Sequence, residues 1–241
     1  MKRIPARYVL KNTARQWVVS SVVFLVWFAF FMWCHKVRGR DYSWFTTEKC
    51  VAIAATFCIG LALAIGPLSR FFRGMEGALP YRRSLGLVGA WAVVVHVLMC
   101  MIYLPLAFPE EYSKDFPLSY YVYRWPITLM DFAALGLLMV IALTSYRRGM
   151  KWLGARKWMI LQKSSYLVLA LTAAHLLLLG KIPGWITWFR TFDKPLPPGA
   201  LTTTTFCLLV LLLKVLDVAV HGDTLSGQGT PEPADEASPG Q

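Results

Sequence analysis

Six long apolar stretches, at roughly 17–34, 50–68, 84–106, 126–145, 164–181 and 201–220, constrain this 241-residue chain more than any other feature. Each approaches the ~20 residues a helix needs to cross the ~30 Å hydrocarbon core of a bilayer. In lipid every backbone N–H and C=O must be satisfied internally, so such runs read as helices. Composition agrees: charged residues make up 16% of the chain, against about one-quarter in soluble domains. The expected fold class is an all-α membrane protein, a six-transmembrane-helix bundle. Soluble globular, disordered and disulfide-scaffold architectures are excluded.

The basic residues set the expected orientation. Residues 1–16 carry five Lys or Arg, 69–83 carry four and 146–163 carry six. The alternate connections, 35–49, 107–125 and 181–200, carry four, two and three. With Lys214 at the inner end of the last span the bias is sixteen against nine, which places both termini in the cytoplasm. The net charge of +12 is thereby read as topology and attraction to membrane lipid, with no nucleic-acid role. Aromatic residues crowd the expected outer connections, from Phe108 to Trp125 and from Trp185 to Phe192, where such rings settle at headgroup depth. The 182–200 stretch is either a short interfacial helix or a plain connector.

Three regions follow: a basic cytoplasmic N-terminus (1–16), the transmembrane domain (17–220) and an acidic tail (221–241) expected to be disordered. Trp17–Trp33 exceeds a usual signal-peptide core, and Cys34-His35-Lys36-Val37 offers no small-residue cleavage pattern, so an uncleaved first span is expected. No connection has room for a flavin or dinucleotide domain, and no G-x-G-x-x-G or P-loop pattern occurs. Cys58, Cys100 and Cys207 lie within spans and read as small buried hydrophobes. Cys34 and Cys50 bracket the first outer loop, either as thiols or as a pair in an oxidising compartment.

Ionisable groups inside apolar spans are costly and point to function. His35 and His221 lie at span ends, within reach of water. His96 and His175 do not. His96 lies thirteen residues beyond Arg83 and His175 twelve beyond Lys163, on helices expected to run in the same direction. At ~1.5 Å per residue both imidazoles sit ~18–20 Å from the inner boundary, at matching depth. Two neutral imidazoles across a bundle suit the axial positions of a b-type haem. Gly86, Gly89, Val93, His96 and Cys100 share one helix face, where small residues would let a flat macrocycle approach. Alternatively each histidine bonds to a neighbouring helix, and the small residues serve close packing. Both readings stay open here. Asp131 is expected to meet water near the outer end of span four, and Lys214 with Asp217 to form a local ion pair. Arg82, Arg83 and the 146–163 loop make a basic inner face, read either as lipid-facing topology or as a dock for an anionic flavin or a donor protein.

The stretch Tyr81-Arg82-Arg83-Ser84-Leu85-Gly86-Leu87, with His96 nine residues on, resembles a motif of the ferric-reductase-like transmembrane family. Within it the chain is similar to the MsrQ (YedZ) haem-binding subunits of periplasmic methionine sulfoxide reductase systems. Thr144-Ser145, Leu153-Gly154, Lys157-Trp158, Leu161, Tyr166-Leu167-Val168 and His175 continue the resemblance, which covers roughly residues 50–182. It implies a six-helix haem-binding bundle with His96 and His175 as iron ligands, and Arg83 and Gln162 at cofactor-binding positions. The family's further span-five histidine falls on Gln162, so one haem b is expected rather than two. The implied function is an electron-transfer subunit of the bacterial inner membrane. Electrons would come from a cytoplasmic flavin reductase (with FMN or FAD shared with that partner) or from quinol, and pass to a periplasmic oxidoreductase. The alternative is a haem-free membrane anchor derived from the same fold. A small transporter is disfavoured by the lack of an inverted repeat.

Overall fold

The computed structural model describes residues 14–115, 118–179 and 181–222. The basic segment 1–13 and nearly all of the acidic tail lie outside the described residues. Among those described, all regular structure is helical: α1 (Ala14–Val37), α2 (Trp44–Phe71), α3 (Arg82–Leu98), α4 (Leu104–Ala107), α5 (Pro109–Asp115), α6 (Leu118–Thr144), α7 (Arg147–Leu153), α8 (Ala155–Lys163), α9 (Ser165–Leu178), α10 (Ile182–Thr191) and α11 (Gly199–His221). A 3-10 helix, Arg73–Tyr81, leads into α3, and a π-turn, Met99–Tyr103, joins it to α4. Among the described residues six segments are long and apolar enough to cross a membrane, as the sequence pattern requires.

The six spans are unequal. In α2 67% of the most apolar window is buried, against 17–28% in the others, so α2 is the central helix. It packs against α1, α3 and α11, while α9 joins α6 and α11. Small residues allow the close approaches. A Cβ on Gly89 would stand 2.7 Å from Ile59 Cγ1 and 2.9 Å from the Ala55 carbonyl oxygen. One on Gly60 would stand 2.3 Å from the ring of Phe206, which stacks on Phe57 at 4.2 Å. Buried hydroxyls add polar ties across the bundle. Ser20 donates to Ser84 at 2.8 Å, and Tyr166 donates to the Leu63 carbonyl at 3.0 Å.

Several boundaries differ from expectation, and one matters. α2 begins at Trp44, not near 50, because the Ser43 hydroxyl caps it by accepting from the Thr46 N–H at 3.2 Å. Glu48 is therefore inside the helix rather than in a loop. The third span is longer than expected, running Arg73–Ala107, and its π-turn has a local cause. Pro105 has no N–H to continue the ladder, and Leu104 N–H reaches back to the Met99 carbonyl, five residues away. The 182–200 stretch contains the short helix α10, with Trp185 buried and Ile186, Phe189 and Phe192 exposed. Cys34 and Cys50 are buried free thiols.

At the expected inner side, the α6–α9 connection is closed by the motif residues. Gly154 takes a φ of +73° between α7 and α8, a conformation that favours glycine. The Trp158 indole then donates to the Thr144 carbonyl at 3.2 Å, and the Gln162 amide to Ser145 Oγ at 3.0 Å.

Candidate functional site: two histidines, each against a carboxylate

The two histidines within the spans are each met by an acidic residue from a neighbouring helix. His96 Nδ1 on α3 lies 2.8 Å from Glu48 Oε1 on α2. His175 Nδ1 on α9 lies 2.8 Å from Asp131 Oδ1 on α6, at ion-pair distance but without the alignment of a hydrogen bond. Asp131, expected to meet water, is 41% exposed and also stands against a histidine. Glu48 was not among the residues singled out from the sequence.

The depths match when measured from the other ends of the helices. Glu48 is four residues beyond Trp44, the first residue of α2, and His175 is three residues before Leu178, the last of α9. These are ~6 and ~5 Å of helix rise, so both pairs lie toward the expected outer end. Both rings are partly open, with side-chain exposures of 27% for His96 and 31% for His175. Nearer the other end α3 and α6 share one core, with Ala90 and Leu87 packed among Leu138, Ile141 and Ala142. Trp91 and Tyr146 lie 3.4 Å apart there.

Cys100 completes the first pair. Its thiol donates to Glu48 Oε1 at 2.8 Å and its sulfur lies 4.0 Å from His96 Nδ1. The shared face expected for His96 and Cys100 is thus confirmed, but the glycines of that face do not open a slot. Gly89 is packed on α2, as the close-packing alternative requires.

The other sequence candidates lie elsewhere. Arg82 Nε donates to the Ala62 carbonyl at 3.0 Å, so its guanidinium turns inward rather than onto the basic face. Arg83 is half-buried at the start of α3. Gln162 is engaged with Ser145 and the Ile141 carbonyl, on the expected inner side and apart from both pairs. His35 Nδ1 bonds within its own helix to the Phe31 carbonyl at 2.9 Å. Lys214 and Asp217 pair at 3.0 Å as expected, but Arg70 adds a two-pronged contact to the Asp217 carboxylate at 3.1 and 3.2 Å.

The donor set fits a haem in one respect and not in another. Imidazoles that ligate iron usually have their second nitrogen held by a carboxylate or carbonyl, which fixes orientation and leaves Nε2 to the metal. Both histidines have Nδ1 2.8 Å from a carboxylate oxygen, His175 without the alignment of a hydrogen bond. The glycine face of α3, by contrast, is closed by α2 and offers no bed for a macrocycle.

Fold and site together define a multi-pass α-helical membrane protein with two carboxylate-backed histidines near one end of its bundle. Its sequence is similar to "protein-methionine-sulfoxide reductase heme-binding subunit MsrQ" of Deinococcus radiodurans, 34% identical over 124 residues, 50% of this chain and 56% of that protein. The protein of the same name from Polaromonas naphthalenivorans is 30% identical over 116 residues, 48% of this chain and 49% of its own length. "Magnetosome protein MamZ" of Magnetospirillum gryphiswaldense is 30% identical over 125 residues, 52% of this chain but 18% of that larger protein. The chain spans about half the length of the MsrQ relatives it matches. No protein-family profile matches it. The six apolar helices and the bacterial relatives make this a multi-pass protein of a bacterial inner membrane.

Proposed function

We propose that this chain is the haem-binding, electron-transferring membrane subunit of an oxidoreductase system. One observation carries the reading: on two different helices, at similar depth, a histidine stands with Nδ1 against a carboxylate and Nε2 on the far side of the ring. A bound haem b would supply a one-electron iron couple. His96 and His175 would hold its iron. Glu48 and Asp131 hold the rings in position and raise their basicity. Packing of α2 on α3 keeps Glu48 dry, at 6% exposure. Electrons come from a cytoplasmic flavin reductase, with its FMN or FAD, or from quinol, and leave for a periplasmic oxidoreductase. Both termini are cytoplasmic, as the sixteen-to-nine basic bias requires. Arg83 lies at the inner end of the span that carries His96, where a donor's anionic cofactor would approach.

The test is haem per chain by pyridine haemochrome assay. The expected result is one haem in the unmodified protein, its loss in His96→Ala and in His175→Ala, and its retention in His35→Ala and His221→Ala. Equal haem content in all four variants overturns the assignment. The closed glycine face favours a second reading, a haem-free anchor of the same fold. A colourless, well-folded preparation would establish that reading.

A further inference from the structure

Glu48 is buried in an apolar span, with a thiol and an imidazole nitrogen each 2.8 Å from the same carboxylate oxygen. Among the described residues no Lys or Arg stands at ion-pair distance from it, and the adjoining Lys49 is exposed. An anion in this setting is costly unless a cation joins it. The ligand atoms of Glu48, His96 and Cys100 all lie within 4.8 Å of one another. One carboxylate, one imidazole and one thiol make a donor set suited to tetrahedral zinc with an open fourth position. Zinc bonds of ~2.0–2.3 Å would hold such atoms ~3.3–3.6 Å apart. The present separations of 2.8, 2.8 and 4.0 Å need only small side-chain adjustments to reach that. Cys100 sits within the π-turn, a feature that concentrates at functional sites.

We propose that Glu48, His96 and Cys100 form a site for a thiophilic divalent metal of the zinc class, exclusive with haem iron at His96. The exclusivity rests on the electron-transfer reading; the metal site does not. Binding releases the Cys100 proton to solvent and moves the His96 ring proton from Nδ1 to Nε2, so that the Nδ1 lone pair takes the metal. The carboxylate and thiolate charges then balance the dication, leaving a neutral unit suited to a span. A neutral imidazole has one lone-pair nitrogen. Haem needs it at Nε2 and the metal needs it at Nδ1, so each ligand selects the opposite tautomer of the same ring. Glu48, ~6 Å along α2 from its Trp44 end, lies within reach of ions entering from that side.

The experiment uses the full-length protein in detergent, produced with and without haem precursor. Cobalt(II) is the probe, because thiolate ligation gives it a charge-transfer absorption in the near ultraviolet. Haem-free protein is expected to take up one cobalt per chain with that absorption, and zinc to displace it. Cys100→Ser is expected to lose the absorption and bind zinc at least about tenfold more weakly, since even an outer-shell partner costs 10–100-fold. Its thermal unfolding in detergent is expected to match the unmodified protein, which shows that it folds. Cobalt bound without the thiolate absorption, or equal zinc affinity in Cys100→Ser, overturns the metal site. Undiminished haem loading into zinc-saturated protein overturns the exclusivity. A protein that binds cobalt through the thiolate yet never takes haem removes the electron-transfer reading and leaves the metal site standing.

Discussion

Two carboxylates are buried near opposite ends of α2, and their surroundings differ in kind. Asp217, 1% exposed, is held by Arg70 of α2, by Lys214 one turn before it, and by His221 at 3.5 Å. Glu48, 6% exposed, has His96 and Cys100. At the Asp217 end charge is answered by permanent cations, and the cluster ties α11 to α2. At the Glu48 end the carboxylate keeps an unfilled capacity to bind a proton or a metal, or to hold an imidazole. The contrast separates a structural tie from a site: both are buried, and only the company of the charge differs.

The sharpest way to break this comparison is to remove the two carboxylates in turn. Asp217→Ala should destabilise the protein by about 3–5 kcal/mol, because Arg70 and Lys214 are left facing each other without an anion. Thermal unfolding in detergent measures it, and the protein that remains folded should keep its haem. Glu48→Gln should change stability far less while weakening haem retention about 10–100-fold, as removal of a ligand's orienting partner does. If Glu48→Gln proved the more destabilising, the division into tie and site would be wrong. Gly89→Ala tests the packing that brings His96 to Glu48. Its Cβ would press on Ile59 and the Ala55 carbonyl, and overpacking of this kind costs about 1–3 kcal/mol. Asp131→Asn should have the smallest effect on haem, under about tenfold, because at 41% side-chain exposure water can stand in for the lost oxygen. Quantitative haem release in this variant would show that the two pairs are equivalent despite their different burial.

Much of this arrangement was legible in the sequence. Each of the six spans follows from length and apolarity, and His96 and His175 stand out because imidazoles are rare in such segments. The spacing of His96 and Cys100 also predicts their shared face. Glu48 was hidden because Glu48-Lys49 precedes the apolar run and reads as loop. The signal that could have found it is Ser43, a helix-capping residue five positions earlier that moves the start of α2 outward. The partner of Asp131 and the role of Arg70 were invisible for another reason. Asp131 meets a residue 44 positions away and Arg70 one 147 positions away. No local pattern encodes such pairings. The glycines of α3 were ambiguous because a small-residue face serves a cofactor and a neighbouring helix equally well, and only the presence of α2 against it decides.

The centrality of α2 has a consequence for how the protein is made. The helix emerges from the ribosome second among the six spans, yet the residues that cover it, Phe206 against Gly60 and Asp217 against Arg70, belong to the sixth. Until α11 is made, α2 has its glycine notch open and its arginine unanswered. Arg70 is placed for that wait, since it lies one residue from the helix end, where a long side chain can reach the headgroups. Arrival of α11 covers the side of α2 that α1 and α3 leave open. A nascent chain stopped before residue 199 would present that uncovered surface to the machinery that removes incomplete membrane proteins.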